Sequence, residues 1–321
     1  MNSELYGKLK GIMVEVGGAD PDSIILAFTA GSNLHGAKIE GKGDLDTSGV
    51  FIGRPEEELR LDAENPKRQG HKNELTLNED GTPKDDIRMY SLRRWAGLAL
   101  KGNPDALSFL FVPEEVKDLS LEPKKNWECP YDAQQCEYPN CIGEHEGYRD
   151  STCVKRHKSS HTRTVWDTEI LPNRNLFLST RLVKSFVGLS KDQFERMLIN
   201  APREPQYGLG VGEGLRQVDE DVARIGYKPK MAMHMVRGLY ECLELLKSGQ
   251  ITYPRPEKGI LLDIRTGKLG LQGVLDMYGT LRAEVDAAEK VTHLPPECDR
   301  EKVSRLVSDA MLKHWKQKKW A

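Results

Sequence analysis

The span of residues 24–52 constrains this chain more than any other: Ile24-Ile-Leu-Ala-Phe-Thr-Ala-Gly-Ser-Asn-Leu-His-Gly-Ala-Lys-Ile-Glu-Gly-Lys-Gly-Asp-Leu-Asp-Thr-Ser-Gly-Val-Phe-Ile52. The apolar run 24–28 predicts a buried strand that ends at Gly31. Gly31 lets the backbone approach a ligand closely, and Ser32 offers a hydroxyl where a new helix starts. Backbone N–H groups at a helix start suit a phosphate anion. Residues 44–52 again read as a strand, whose period of two puts Asp44 and Asp46 on one face and Leu45 on the other. Two carboxylates beside a phosphate turn suit divalent cations that bridge a nucleoside triphosphate. Taken alone, such an Asp-x-Asp pair is more often a turn or strand end facing water.

The pattern resembles the DNA polymerase beta superfamily of nucleotidyltransferases, marked by Gly-Ser or Gly-Gly, about ten residues, then Asp-x-Asp or Asp-x-Glu. More of the chain is similar to its bacterial and phage branch of predicted nucleotidyltransferases. That similarity rests on Asp86-Ile-Arg-Met-Tyr-Ser-Leu followed by Leu98-Ala-Leu-Lys-Gly-Asn-Pro104, and on Lys230-Met-Ala-Met-His-Met-Val-Arg237 with Ser248-Gly-Gln-Ile-Thr-Tyr-Pro254. It covers roughly residues 20–112 and 225–290. The resemblance implies an α+β fold: a polymerase-beta-like catalytic domain with a mixed sheet and helices.

A third carboxylate is expected beside the first two. In 86–90, Ile87 and Met89 alternate with Asp86, Arg88 and Tyr90, so Asp86 shares the polar face; Asp85 is the alternative. By resemblance, Asp44 and Asp46 would hold two magnesium or manganese ions. Asp86 would hold the ion that activates the attacking hydroxyl, and would accept its proton. The reaction would be in-line attack on the α-phosphate with loss of pyrophosphate. Gly31 and Ser32 would cradle the nucleotide. His35 and Lys38 read as surface residues.

The helix predicted over 230–248 carries an apolar stripe of Ala232, Met235, Val236, Leu239, Leu243 and Leu246, which makes its methionines core filler. Lys230, His234 and Arg237 share another face, which suits the charge of a triphosphate. Spacing alone favours a solvated basic face that Glu241 and Glu244 continue as ordinary salt-bridge partners; the resemblance favours nucleotide binding.

Further segments follow from pattern: a helix over 3–16, strands at 24–28, 45–52 and 86–90, and helices at 91–101 and 105–111. Residues 55–83 read as an irregular excursion. Later helices are expected near 176–187, 190–200, 214–225, 270–289 and 299–318. The implied organisation is a catalytic domain over 1–122, a Cys/His-rich insert over 123–165 and a helical C-terminal domain over 166–321.

In the insert, Cys129, Cys136, Cys141 and His145 have the spacing of a Cys₃His zinc finger. Cys153, His157 and His161 are alternative ligands or the start of a second site; a loop with free thiols is the plain alternative. Small fingers of this kind bind single-stranded RNA, and Tyr131, Tyr138 and Tyr148 with the neighbouring lysines and arginines suit stacking and backbone contact. Cys242 and Cys298 have no ligand partner in sequence. The lysine- and tryptophan-rich tail 313–320 suits either a phosphate backbone or a solvated helix end.

Charge narrows the partners. With 47 Lys and Arg against 49 Asp and Glu, the net charge is -2, so any nucleic-acid binding must come from a local patch. The absence of a long apolar run or signal-peptide core predicts a cytosolic protein. The expected function is transfer of a nucleoside monophosphate to an acceptor hydroxyl, first of all an RNA end. A protein hydroxyl, a small molecule, or an inactive zinc-dependent RNA-binding protein are the alternatives.

Overall fold

A computed structural model of the chain describes residues 23–39, 45–59, 74–77, 83–117, 164–198 and 220–320. Four strands form one mixed sheet: β1 (Ile24–Thr29), β2 (Leu45–Phe51), β3 (Glu74–Leu77) and β4 (Pro83–Ser91), in the order β1-β2-β4-β3. β1 runs antiparallel to β2, β2 parallel to β4, and β3 antiparallel to β4. β1 carries Ile24, Ile25, Leu26, Ala27 and Phe28 in succession because both its faces are covered, so the run need not alternate. β3 lies inside the stretch that reads as irregular. A four-residue edge strand takes its identity from pairing with β4, which local pattern does not carry.

Three short helices attach to the sheet: α1 (Gly31–His35), α2 (Pro55–Glu58) and α3 (Leu92–Ala99). α3 begins where sequence places it, because the Ser91 hydroxyl caps it by accepting the Arg94 N–H at 3.2 Å. Asn103 likewise caps α4 (Pro104–Ser108), whose Pro104 occupies the first turn. A 3₁₀ turn, Phe109–Phe111, continues it.

The remaining described residues are mostly helical. A π turn (Trp166–Ile170) and a 3₁₀ segment (Leu171–Phe177) lead into α5 (Arg181–Leu198). Sequence divides α5 near 188–189, yet the helix runs through Gly188. An interior glycine costs only about 1 kcal/mol, which burial of Leu182, Val183, Phe186 and Met197 along one face outweighs. Then come α6 (Glu220–Ile225), α7 (Pro229–Ser248), α8 (Lys258–Arg265), α9 (Leu271–Val291) and α10 (Arg300–Lys318). Sequence misses α8, an eight-residue helix between Pro254, Pro256 and Gly267, all of which read as breakers.

One core joins sheet and helices. Trp95 of α3 meets Trp166 edge-on at 4.6 Å and lies 4.9 Å from Phe177, while its indole N–H donates to Ala106 O at 2.9 Å. The Thr164 hydroxyl donates to Ile25 O at 2.7 Å. From the far end, Trp315 of α10 is buried and donates its Nε1–H to Gly53 O at 2.8 Å. The tail tryptophans therefore serve packing: Trp320 lies under the Arg54 guanidinium and against His314. Full burial of such aromatic side chains contributes about 1.5–3 kcal/mol each.

Candidate active site

β1 delivers its chain end to the start of β2. The Ala30 N–H donates to Asp46 O at 2.8 Å, and α1 begins at the next residue. Gly31 has φ +62°, in the left-handed region that disfavours a side chain. A Cβ at Gly31 would lie 1.7 Å from Asp46 Oδ2, so the missing side chain is what lets the carboxylate rest against the turn. Ser32 lies inside α1 rather than capping it: the N-cap is Ala30, which makes no side-chain cap bond.

The β2–β4 pairing decides between the two downstream acids. Asp86 is the Cα partner of Asp46, whereas Asp85 pairs with Leu45, one step out of phase on the pleat. Backbone register therefore sets Asp86 directly beside Asp46. Asp44 lies outside the described residues, as do Cys129, Cys136, Cys141, His145, Cys153, His157 and His161. Among the described residues, no group of three or more His, Cys, Asp or Glu is arranged to hold a metal ion.

α7 approaches the turn from the opposite side. His35, at the end of α1, reads as a surface residue in sequence but is 7% exposed, with its Nδ1 3.3 Å from Glu241 Oε1 on α7. Glu241 is 3% exposed, and Arg237, one turn earlier, brings its Nε to 3.8 Å from the same oxygen. Glu241 is therefore a buried hub, contrary to the solvated partner that spacing suggests. The His35 ring meets Tyr253 edge-on at 5.3 Å, and His35 O accepts the Arg255 N–H at 3.1 Å. Arg255 has no exposed side-chain surface; it pairs with Glu244 and lies 3.0 Å from Glu257. α1 is thus held against α7 and the 253–257 segment by buried polar contacts.

Electrostatics follow from that burial. Desolvation, then the charges of Arg237, His234 and Arg255, holds His35 well below the usual histidine value, so its imidazole is neutral. His234 is lowered in the same way by burial, Arg237, Lys230 and Arg265. Burial pushes the Glu241 carboxyl up, against the opposing pull of Arg237 and Arg255. Burial also opposes the charge on Arg255, but Glu244, Glu241 and Glu257 outweigh it and raise its value. These shared influences put His234 and Arg237 within electrostatic reach of His35, four residues beyond Gly31. Lys230 lies in the first turn of α7 and is exposed, as is Lys38. The buried Met233 and Met235 fill core, as their spacing suggests. Cys242 is a buried thiol pushed up to about 12, chiefly by desolvation.

Sequence reading passed over Tyr253 and Arg255 and undervalued His35 and Glu241. Glu241 had a signal, its i,i+4 spacing from Arg237. Arg255 had none, because its burial depends on how the loop after α7 folds back onto α1.

The Asp46 carboxylate is an oxygen donor of the kind that a hard divalent cation takes. A carboxylate packed against a turn suited to phosphate would repel a triphosphate unless positive charge stood between them. The described helices include none long and apolar enough to cross a membrane. No curated protein and no solved structure matches the chain significantly. Residues 1–123, somewhat over a third of the chain, match the family RlaP, described as the RNA repair pathway DNA polymerase beta family, a match consistent with a polymerase-beta-like nucleotidyltransferase.

Proposed function

We propose that the protein transfers a nucleoside monophosphate from a nucleoside triphosphate to an acceptor hydroxyl, with an RNA end as acceptor. The observation that carries this reading is the Asp46 carboxylate lodged against Gly31, with Asp86 as its register partner on the parallel strand. The family description, RNA repair, favours RNA over a protein hydroxyl.

In this reading Gly31 and Ser32 cradle the triphosphate, and His234, Arg237 and Lys230 on α7 neutralise it. Asp44, Asp46 and Asp86 would hold two magnesium or manganese ions, which would supply the positive charge that lets phosphate approach carboxylate. The acceptor oxygen forms a bond to the α-phosphorus as the bond to the bridging oxygen breaks. Pyrophosphate leaves with that electron pair, and the hydroxyl proton passes to Asp86. Such chemistry is mostly positioning and charge neutralisation. Zinc held by Cys129, Cys136, Cys141 and His145 would fold the insert and add an RNA contact.

The test is incubation with α-labelled triphosphates and magnesium, with and without RNA. Label should enter RNA, and Asp46→Ala should reduce incorporation by about 10²–10³-fold or more. Undiminished incorporation in folded Asp46→Ala protein sinks the catalytic assignment; label in protein alone sinks the RNA acceptor. Metal analysis should find about one zinc per chain.

A further inference from the structure

Well away from the aspartates, the described residues enclose a cavity of about 500 Å³ between the sheet-packed part of the chain and its C-terminal helices. Its walls bring together Arg93 and Arg94 of α3, Lys101 just beyond that helix, Arg181 and Arg300, with Glu297 as the lining carboxylate. Five cationic side chains against one acid make a strongly positive cleft in a chain whose net charge is -2. Arg181 is the first residue of α5 and Arg300 the first of α10, so two long helices also turn their positive ends toward it.

The positions of these groups follow from the fold. Gly102 lets the chain after α3 pass so close to α5 that a Cβ there would come within 2.5 Å of Leu182 Cα. The Ser185 hydroxyl fastens the same place by donating to Lys101 O at 2.9 Å. Thr180 N–H donates to Pro295 O at 2.8 Å, which brings the 297–300 segment alongside. The first-turn N–H groups are already used: Val183 donates to Thr180 O and Lys302 to the Asp299 carboxylate, both at 3.0 Å. Lys302 Nζ also lies 3.0 Å from Asp299, which neutralises that acid. An anion here would therefore be held by side chains. The pair of Arg181 with Glu297 is long, 3.9 Å, and exposed, which screens it heavily and leaves it easy to exchange for a phosphate.

We propose that this cleft binds the phosphodiester backbone of the acceptor RNA, upstream of the end that reacts. This rests on the RNA-acceptor reading above and names where the strand lies. The cations are spread over three separate elements, which suits successive phosphates rather than one compact anion. Among the described residues no aromatic ring lines the cleft, which suits contact with the backbone rather than with particular bases. Along β4, Asp86 and Ser91 are five residues apart, roughly 17 Å. The cleft begins just past Ser91, so a strand reaching both places spans about five steps at duplex rise, and fewer where it is extended.

The test is salt-dependent fluorescence anisotropy with a labelled single-stranded RNA of roughly 12 nucleotides and one of roughly 3. Lys101→Ala/Arg181→Ala/Arg300→Ala removes three exposed cations from the walls. It should reduce the salt slope for the long RNA by about 2 and its affinity at 0.1 M salt by about 100-fold. Binding of labelled triphosphate and of the short RNA should be unchanged. Arg181→Lys/Arg300→Lys should retain binding, and Glu297→Gln should strengthen it, which keeps the idea testable if the triple variant folds poorly. An unchanged slope in folded triple variant, or an equal loss of triphosphate binding, overturns the cleft assignment while leaving transfer to RNA standing. Wild-type protein that neither binds nor labels RNA overturns the acceptor reading itself, and the cleft with it.

Discussion

Ionisable side chains gather in two places in this protein, under opposite physical conditions. Beneath the Gly31 turn, His35, Arg237, Glu241 and Arg255 are buried or nearly so, and each faces a partner of its own chain. In the cleft beside α3, Lys101, Arg181 and Arg300 are exposed and the pair of Arg181 with Glu297 is long, while Arg93 donates to Glu58 O at 3.0 Å. A charge taken out of water must be matched by the fold itself. A charge left in water keeps its hydration until a ligand replaces it. The first group therefore ties α1 to α7 and the 253–257 segment, whereas the exposed cations of the second group are left to solvent.

The sharpest way to break that contrast is to remove a buried member. Arg255→Ala leaves Glu244 and Glu257 facing a void, and should lower the unfolding free energy by about 3–5 kcal/mol in urea titrations. A loss under 1 kcal/mol would show that water reaches this network and that it does not hold α1. A second measurement sharpens the comparison through pH. His35 and His234 are held below the usual value of 6.5, so below that pH the unfolded chain takes up protons that the folded protein refuses. Stability should fall as pH drops below 6.5, until the lowered folded values are reached. Glu241 acts oppositely: its raised carboxyl keeps a proton in the folded state above the usual 4.5, and that contribution is lost as pH rises through the raised value. His35→Gln should flatten the acid-side loss in urea midpoints measured from pH 7 to 5; an identical slope would mean that His35 is hydrated. The smallest effect belongs to the surface. Arg305 and Glu301 pair across one turn of α10 with about three quarters of each side chain exposed. Glu301→Ala should shift stability by no more than about 0.5 kcal/mol in the same titration.

The sheet end was readable in advance because its signals are local. The apolar run 24–28, the Gly31-Ser32 break and the alternation around Asp86 each depend on residues a few positions apart. The long amphipathic helices were readable for the same reason; α7, α9 and α10 begin and end within two residues of where periodicity puts them. β3 and α8 were not, since a short edge strand and a helix flanked by breakers are decided by the neighbours they meet. His35 shows the limit most clearly. Between polar and glycine residues it reads as surface, and only the return of the 253–257 segment and α7 buries it. The positive cleft is likewise invisible in a chain of net charge -2, because its cations lie up to about two hundred positions apart.

By itself, the order of residues determined that a strand, a glycine break and a second acidic strand follow one another, and that amphipathic helices follow the insert. These are consequences of periodicity and backbone freedom, which act over a few residues. Tertiary structure alone decided that strand register pairs Asp86 with Asp46, that Glu241 is a hub, and that five distant cations share one cleft. Each of those depends on strand register or helix packing, and such contacts join positions that no local pattern relates.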